Sequence, residues 1–220
     1  TKSASSSESE AGGGTRSIPP SPDFGGRAGG CKGGRPRLHP ADPTMTDPAA
    51  TLPILLVPDA RLRAKAKPVA AGDSDAVRAL SEKMLATMYA APGIGLAAPQ
   101  VGEMLRLVVI DLQKEDARAP LILVNPEVVA ESDELATREE GCLSLPNQYG
   151  DVTRPTRVKV RYQDLTGAKR EIEGEGLLSA CLQHEIDHLN GVLFVDYLSV
   201  LKRNMLLRKL AKELKAKQRD

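Results

Sequence analysis

Three stretches of the chain carry apolar residues at helical spacing. Between Asp73 and Ala90, large apolar residues share one face of a helix that Asp73 or Ser74 can cap. The segment Leu177–Leu189 lacks Gly and Pro and is apolar on nearly all sides, which predicts a buried helix. A third pattern, over Asn204–Lys217, predicts an amphipathic helix with a basic polar face.

Shorter apolar segments in the middle of the chain predict strands. Leu105–Leu112 and Leu121–Val129 are rich in β-branched residues and are interrupted by polar residues or Pro. Val158–Tyr162 alternates apolar and basic side chains, as a strand with one solvated face does, and a turn leads from it to Lys169–Ile172. Because strands occupy the middle and helices the ends, the pattern predicts an α+β fold rather than a parallel, doubly wound sheet.

Residues 1–44 differ in composition from the rest of the chain. They contain 9 Gly, 6 Pro and 7 Ser, which together make up half of the segment. So few apolar side chains cannot offset the entropy of ordering. The sequence therefore predicts a disordered leader over residues 1–44 and a folded domain over residues 45–220. Because Met45 is the first methionine, we interpret the leader as dispensable, with a transit peptide or a functional tail as alternatives.

The overall composition excludes several classes of function. The chain has 220 residues, and 30 Lys and Arg against 29 Asp and Glu give a formal net charge of +1, so DNA binding is not expected. No apolar run approaches the ~20 residues that span a bilayer, so no membrane partner is expected. Three cysteines are too few, and odd in number, for a disulfide scaffold. They indicate a reducing compartment or a thiol with a chemical role.

The strongest chemical signal is the motif His184-Glu185-Ile186-Asp187-His188. Residues four apart on a helix share a face, so both imidazoles can point at one metal ion. Glu185 lies beside them and can accept a proton from water. A solvated histidine pair is the alternative, but the helix is apolar, and buried His and Glu side chains need partners. The motif therefore predicts His184 and His188 as metal ligands.

The third ligand must be a carboxylate or a thiolate, because the only other histidine, His39, lies in the predicted leader. Acidic residues downstream of the motif are few, whereas Cys142 stands upstream in the segment EGCLSLP. A thiolate and two imidazoles suit a divalent transition metal, so we predict Cys142 as the third ligand. Cys181 lies one helical turn before His184 and can also reach the site, but we interpret it as an apolar wall residue.

Three motifs together resemble those of the peptide deformylase family. They are GIGLAAPQVG at residues 93–102, EGCLSLP at 140–146 and QHEIDHLNG at 183–191, in this order. The first alone would indicate only a turn between a helix and a strand, since its glycine spacing does not fit a dinucleotide loop. The resemblance covers essentially residues 45–220. It implies antiparallel sheets packed around a central metal-binding helix, with helices toward both ends of the domain.

The resemblance also implies a reaction. Members of this family remove the N-terminal formyl group from nascent polypeptides that begin with formyl-methionine, and they release formate. By this likeness, Glu185 moves the proton, while the Gln100 amide and the backbone N–H of Leu143 stabilise the oxyanion. The remaining residues of the implied site bind the peptide backbone or the methionine side chain: Gly93, Ile94, Gly95, Leu177 and Cys181.

Cofactor and partners follow from the same resemblance. It implies Fe²⁺ in the cell, and the ligand set also admits zinc, nickel or cobalt. The basic C-terminal helix implies docking on the ribosome, with a solvated basic face as the alternative. We expect a monomer in the bacterial cytoplasm, or in an organelle if residues 1–44 are a transit peptide.

Weaker expectations concern the surroundings of the site. Glu140 is predicted to pair with Arg154 and fix the Cys142 segment, with a surface ion pair of little consequence as the alternative. Tyr149 is predicted to contact the peptide backbone or to occupy a turn. A metallopeptidase of the same motif type and a ribosome-associated module with a structural metal are the two other functions that the motif allows.

Overall fold

The computed structural model describes residues 51–70, 73–113 and 118–217, so the predicted leader and Met45 lie outside the described residues. Within the described ranges the chain forms three α-helices and seven strands, and the predicted α+β class is confirmed. The helices are α1 (Ser74–Ala90), α2 (Leu177–Leu189) and α3 (Val200–Lys217). The strands are β1 (Gly95–Ala97), β2 (Leu107–Ile110), β3 (Leu121–Glu131), β4 (Leu135–Cys142), β5 (Leu145–Pro155), β6 (Arg157–Gln163) and β7 (Lys169–Glu175).

The predicted helices agree closely with those observed. Asp73 occupies the N-cap position of α1, and α2 has the predicted bounds. Helix α3 begins at Val200 rather than at Asn204. The helix begins one turn before the predicted residue because Ser199 caps it. The Ser199 carbonyl accepts a hydrogen bond from Arg203 N at 2.9 Å, and the Ser199 hydroxyl accepts one from Lys202 N at 3.3 Å.

Five strands form one antiparallel sheet in the order β1-β2-β3-β6-β7, with β1 at an edge. Strand β2 is buried on both faces, which explains its continuous apolar sequence. On one face, Leu107 and Val109 join a core cluster with the α1 methionines Met84 and Met88. On the other face, Val108 and Ile110 pack in a second cluster with α2 residues: Cys181, Leu182, Ile186 and Leu189. The sheet therefore lies between α1 and the helix that carries the histidine motif.

Strands β4 and β5 form a separate two-stranded hairpin, which the sequence patterns did not predict. Charged residues on β4 and Gly and Pro in β5 obscure the alternation there. The pairing runs regularly from Leu135 opposite Pro155 to Gly141 opposite Tyr149, and then shifts, so that Cys142 pairs with Leu145. An irregularity of this kind bends a strand and redirects a side chain, here that of Cys142.

Helix α3 is connected to the hairpin through a third core cluster. Leu206 and Leu210 of α3 are buried there with Leu145, Val152 and Phe194. No helix among the described residues combines the length and apolar character needed to cross a bilayer.

Candidate metal centre

The side chains of Cys142, His184 and His188 converge where the hairpin meets α2. One ligand atom from each lies within 4.8 Å of the other two, and Cys142 Sγ lies 3.2 Å from His188 Nε2. The two imidazoles stand one helical turn apart with ring centroids 5.0 Å apart, as the four-residue spacing requires. One sulfur and two nitrogen donors at these separations fit a divalent transition metal that keeps a position for water.

The His184 ring is oriented by a buried carboxylate. Glu140 Oε2 lies 2.9 Å from His184 Nδ1, so His184 donates from Nδ1 and keeps Nε2 for a metal. Arg154 holds the same carboxylate with two hydrogen bonds, at 2.6 Å to Oε1 and 3.1 Å to Oε2. Asp187 accepts a further hydrogen bond from Arg154 at 2.8 Å. The Glu140–Arg154 pair is therefore buried beneath the metal ligands and is not a surface pair.

The charges of this buried pair support each other. Burial alone would raise the pKa of Glu140, but the hydrogen bonds from His184 and Arg154 hold that pKa below its ordinary value. Burial likewise opposes the charge of Arg154, yet its contacts with Glu140 and Asp187 raise its pKa. Glu140 thus remains an ionised acceptor that fixes the His184 tautomer.

Among the described residues, Glu185 is the one buried carboxylate that has an oxygen without a partner. Its side chain is 5% exposed, and Oε2 makes no hydrogen bond with any described residue. Burial raises the pKa of Glu185 to about 7. Gly95 allows the β1 backbone to approach closely, since a Cβ built there would contact Oε1 and lie 2.8 Å from Cδ of Glu185.

The side-chain amide of Gln100 lies close to the Cys142 thiol. Its Oε1 accepts a hydrogen bond from Ala97 N at 2.9 Å, which fixes the amide so that Nε2 points toward Ser144 Oγ at 3.2 Å and Cys142 Sγ at 3.5 Å. The backbone N–H of Leu143 donates to no acceptor among the described residues. Gln100 therefore brings one side-chain N–H donor to within 3.5 Å of the sulfur, and the residue after Cys142 carries a backbone N–H with no acceptor among the described residues.

These groups open onto a cavity of about 520 Å³. Apart from His188, which is 1% exposed behind the others, every predicted site residue contributes to its lining. Leu177 is half-exposed at the rim, and Cys181 lies deeper, with Sγ 3.8 Å from the carbonyl oxygen of Ile94. Burial raises the pKa of the Cys181 thiol, which keeps it protonated, as a wall residue requires.

The pairing of β1 decides which backbone groups are unpaired at the edge of the cavity. Asp111 N donates to Ile94 O at 2.9 Å, so the next pair, Gly95 and Ile110, is of the non-hydrogen-bonded type. The N–H and C=O of Gly95 consequently point away from β2. Because β1 is an edge strand, these groups are free to pair with an extended chain.

Sequence reasoning missed part of this constellation. Asp187 and Tyr197 complete the support of Arg154, since the Tyr197 hydroxyl donates to Asp187 Oδ2 at 2.9 Å. Asp187 stands inside the histidine motif, where a charged residue on an apolar helix was a usable signal. Arg138, which no local pattern marks, lines the cavity together with Tyr149, which the sequence had singled out and which lies in β5 rather than in a turn.

Comparison with known proteins gives a consistent result. The polypeptide deformylase family profile matches residues 51–204. The chain is 53% identical over 167 residues to a peptide deformylase of Bradyrhizobium sp. strain BTAi1, covering 74% of this chain and 95% of that relative. Its fold matches a crystal structure of a peptide deformylase from Legionella pneumophila with a TM-score of 0.72 and 49% identity, over 77% of this chain and 99% of the other. A peptide deformylase from Synechococcus elongatus in complex with actinonin matches with a TM-score of 0.68 and 46% identity, over 72% and 86% of the two chains.

Proposed function

Since this chain belongs to the polypeptide deformylase family, we propose that Cys142, His184 and His188 hold its metal ion and that Glu185 is its general base. The protein is a metal-dependent enzyme that removes the N-formyl group from nascent peptides. The observation that carries the residue assignment is the convergence of three ligand atoms beside one unpartnered buried carboxylate.

Glu185 performs the proton transfers. A divalent ion held by Cys142, His184 and His188 would supply the Lewis-acid chemistry that favours deprotonation of water, the nucleophile of the reaction. The carboxylate of Glu185 accepts a proton from that nucleophile as the oxygen attacks the formyl carbon. It then passes the proton to the amine nitrogen as the C–N bond breaks, and formate and the free peptide amine leave. Because Oε2 has no hydrogen-bond partner among the described residues, Glu185 can both accept the proton and donate it again.

The ligand set also limits the identity of the metal. One thiolate with two imidazoles accepts iron, zinc, nickel or cobalt, and we assign Fe²⁺ as the physiological ion. Elemental analysis of protein purified without oxygen tests this assignment. A preparation that is fully active and contains only zinc would contradict it.

Gln100 and Leu143 stabilise the oxyanion that develops on the formyl oxygen. The amide of Gln100 is fixed by the backbone of Ala97, so its N–H is oriented before substrate binds. The Leu143 N–H has no competing acceptor among the described residues. The fixed amide N–H of Gln100 and the unpaired N–H of Leu143 are the two donors that we assign to the oxygen that forms next to the ligands.

We expect the substitution Gln100→Met to lower kcat by about 10²–10³-fold, the usual cost of losing one oxyanion donor. Methionine keeps the length of the side chain but cannot donate a hydrogen bond. Formate release from formyl-Met-Ala-Ser measures the effect, with metal content determined in parallel. The matched control is Gln163→Met, outside the cavity, which should retain the parent rate. Equal rates in the two variants would contradict the role of Gln100.

The peptide pairs with the outward edge of β1. The free N–H and C=O of Gly95 support an extended substrate that runs along Gly93, Ile94 and Gly95. The methionine side chain of the substrate then enters the apolar part of the cavity, which Ile94, Leu143, Leu177, Ala180 and Cys181 line. Formate release from formyl-Met-Ala-Ser, without digestion of casein, separates this activity from that of a metallopeptidase.

Helix α3 provides a docking surface for the ribosome. Its polar face is basic, and Leu201 and Met205 are exposed beside it at 82% and 58%. The helix belongs to a catalytic unit that we place over residues 45–220. We further propose that the enzyme acts as a monomer in the cytoplasm, where nascent chains are made.

We expect the double substitution Arg208→Glu and Lys212→Glu to weaken ribosome binding and to reduce its dependence on salt. Both side chains are exposed on α3, and no described residue forms an ion pair with either of them. Cosedimentation with ribosomes at two salt concentrations measures the effect, while formate release from the short peptide should be unchanged. Binding that is insensitive to both salt and the substitutions would contradict docking through α3.

A further inference from the structure

The segment Gly93–Gly95, which we assign as the substrate strand, accepts hydrogen bonds from two residues that follow β2, Asp111 and Gln113. The side-chain amide of Gln113 donates from Nε2 to the carbonyl oxygen of Gly93 at 3.0 Å. Asp111 donates its backbone N–H to the carbonyl oxygen of Ile94 at 2.9 Å. Two consecutive carbonyl groups of the segment are thus held by hydrogen bonds from residues that follow β2.

Gln113 is itself held in an unusual conformation. Its φ is +49°, in the left-handed region that residues other than glycine seldom adopt. Asp111 Oδ1 accepts a hydrogen bond from Gln113 N at 2.9 Å, and Asp111 Oδ2 accepts one from the Tyr89 hydroxyl at 2.6 Å. Asp111 is only 2% exposed. Asp111, a buried carboxylate that is also hydrogen-bonded to Tyr89 of α1, therefore sustains the backbone of Gln113, and this backbone aims the amide at Gly93.

We propose that Gln113 is a positioning residue for substrate binding, which holds the Gly93–Gly95 edge in the conformation that pairs with the peptide. This inference rests on the proposed role of that edge as the substrate strand. Two of its three residues are glycines, which have high backbone freedom when nothing restrains them. A restraint present before binding lowers the entropy that is lost on binding, so its removal weakens substrate binding. No hydrogen bond joins Gln113 to a residue assigned to the chemical step, so kcat should change little.

The substitution Gln113→Leu tests the proposal, because leucine has a similar volume and no donor. We expect KM for formyl-Met-Ala-Ser to rise about 3- to 10-fold, the effect of one hydrogen bond, with kcat near that of the parent. Amide hydrogen exchange in the peptide that contains residues 93–95 should become faster. Metal content and the melting temperature of the metal-loaded enzyme show whether the fold is intact.

A second variant, Gln113→Gly, separates the amide from the strained backbone. Glycine adopts a positive φ without cost, so a role that is only conformational would leave KM at the parent value. We expect KM in this variant to rise as in Gln113→Leu, because both lack the amide, and a parent-like KM would overturn the inference.

KM and amide hydrogen exchange together also distinguish a failure of the Gln113 inference from a failure of the substrate-strand assignment on which it rests. Unchanged KM and unchanged exchange in Gln113→Leu would overturn the positioning role and leave the substrate strand intact. Faster exchange with unchanged KM would overturn both the positioning role and the assignment of residues 93–95 as the substrate strand. A parent enzyme that released no formate would instead overturn the proposed function.

Discussion

Replacement of Cys142 by alanine should abolish metal binding at neutral pH and with it formate release. The thiolate is one of the three ligands that we propose, and the two remaining imidazoles cannot close a site alone. Loss of a residue that merely supports a ligand already costs 10–100-fold in metal affinity or activity. Removal of a ligand should therefore cost more than about 100-fold. Elemental analysis after dialysis and formate release from formyl-Met-Ala-Ser measure the two effects.

The second thiol of the cavity provides a matched control. Cys181→Ala removes a sulfur from the same helix that carries the histidines, but from the cavity wall. We expect this variant to retain a full complement of metal while its KM changes, because Cys181 contributes to the methionine pocket. Metal loss in Cys181→Ala, or a full complement of metal in Cys142→Ala, would contradict the assignment of the thiolate ligand.

The histidine pair could be predicted from sequence because its geometry is local. A four-residue spacing on one apolar helix is sufficient to place His184 and His188 side by side. Helix α1 and strands β2, β3 and β6 were predictable for a related reason, since each is marked by its own local spacing, run or alternation of apolar residues, and β7 was located by the turn before it. The hairpin β4–β5 lacks such a pattern, because its register depends on pairing between strands and on a shift after Gly141.

The support of the metal site was less accessible to sequence reasoning. Glu140 and Arg154 are 14 residues apart along the chain, and only the fold joins them to His184 and Asp187 beneath the ligands. Gln113 carried no signal at all, since its function depends on a positive φ and on one long-range hydrogen bond to Gly93. Contacts of this kind follow from the tertiary structure and not from any local pattern of residues.

Replacement of Glu185 by glutamine should lower kcat by about 10²–10⁴-fold, the usual contribution of a general acid–base group. Glutamine keeps the shape that packs against Gly95, but an amide cannot accept a proton from water. Metal content should remain at the parent level, because Glu185 is not one of the three ligands. Formate release from formyl-Met-Ala-Ser and elemental analysis of the same preparation measure both quantities.

This pair of results is what distinguishes Glu185 from its neighbours on α2. His184→Ala and His188→Ala should lose metal and activity together, whereas Glu185→Gln should lose activity alone. Glu82→Gln on the exposed face of α1 is the control for the charge change and should retain the parent rate. A metal-loaded Glu185→Gln enzyme that kept most of the parent kcat would mean that another group moves the proton. Among the described residues, Glu140 is the only other carboxylate buried next to the three ligands. It already accepts hydrogen bonds from His184 and Arg154. The oxygen of Glu185 that has no partner among the described residues is therefore the feature on which the proposed proton transfer rests.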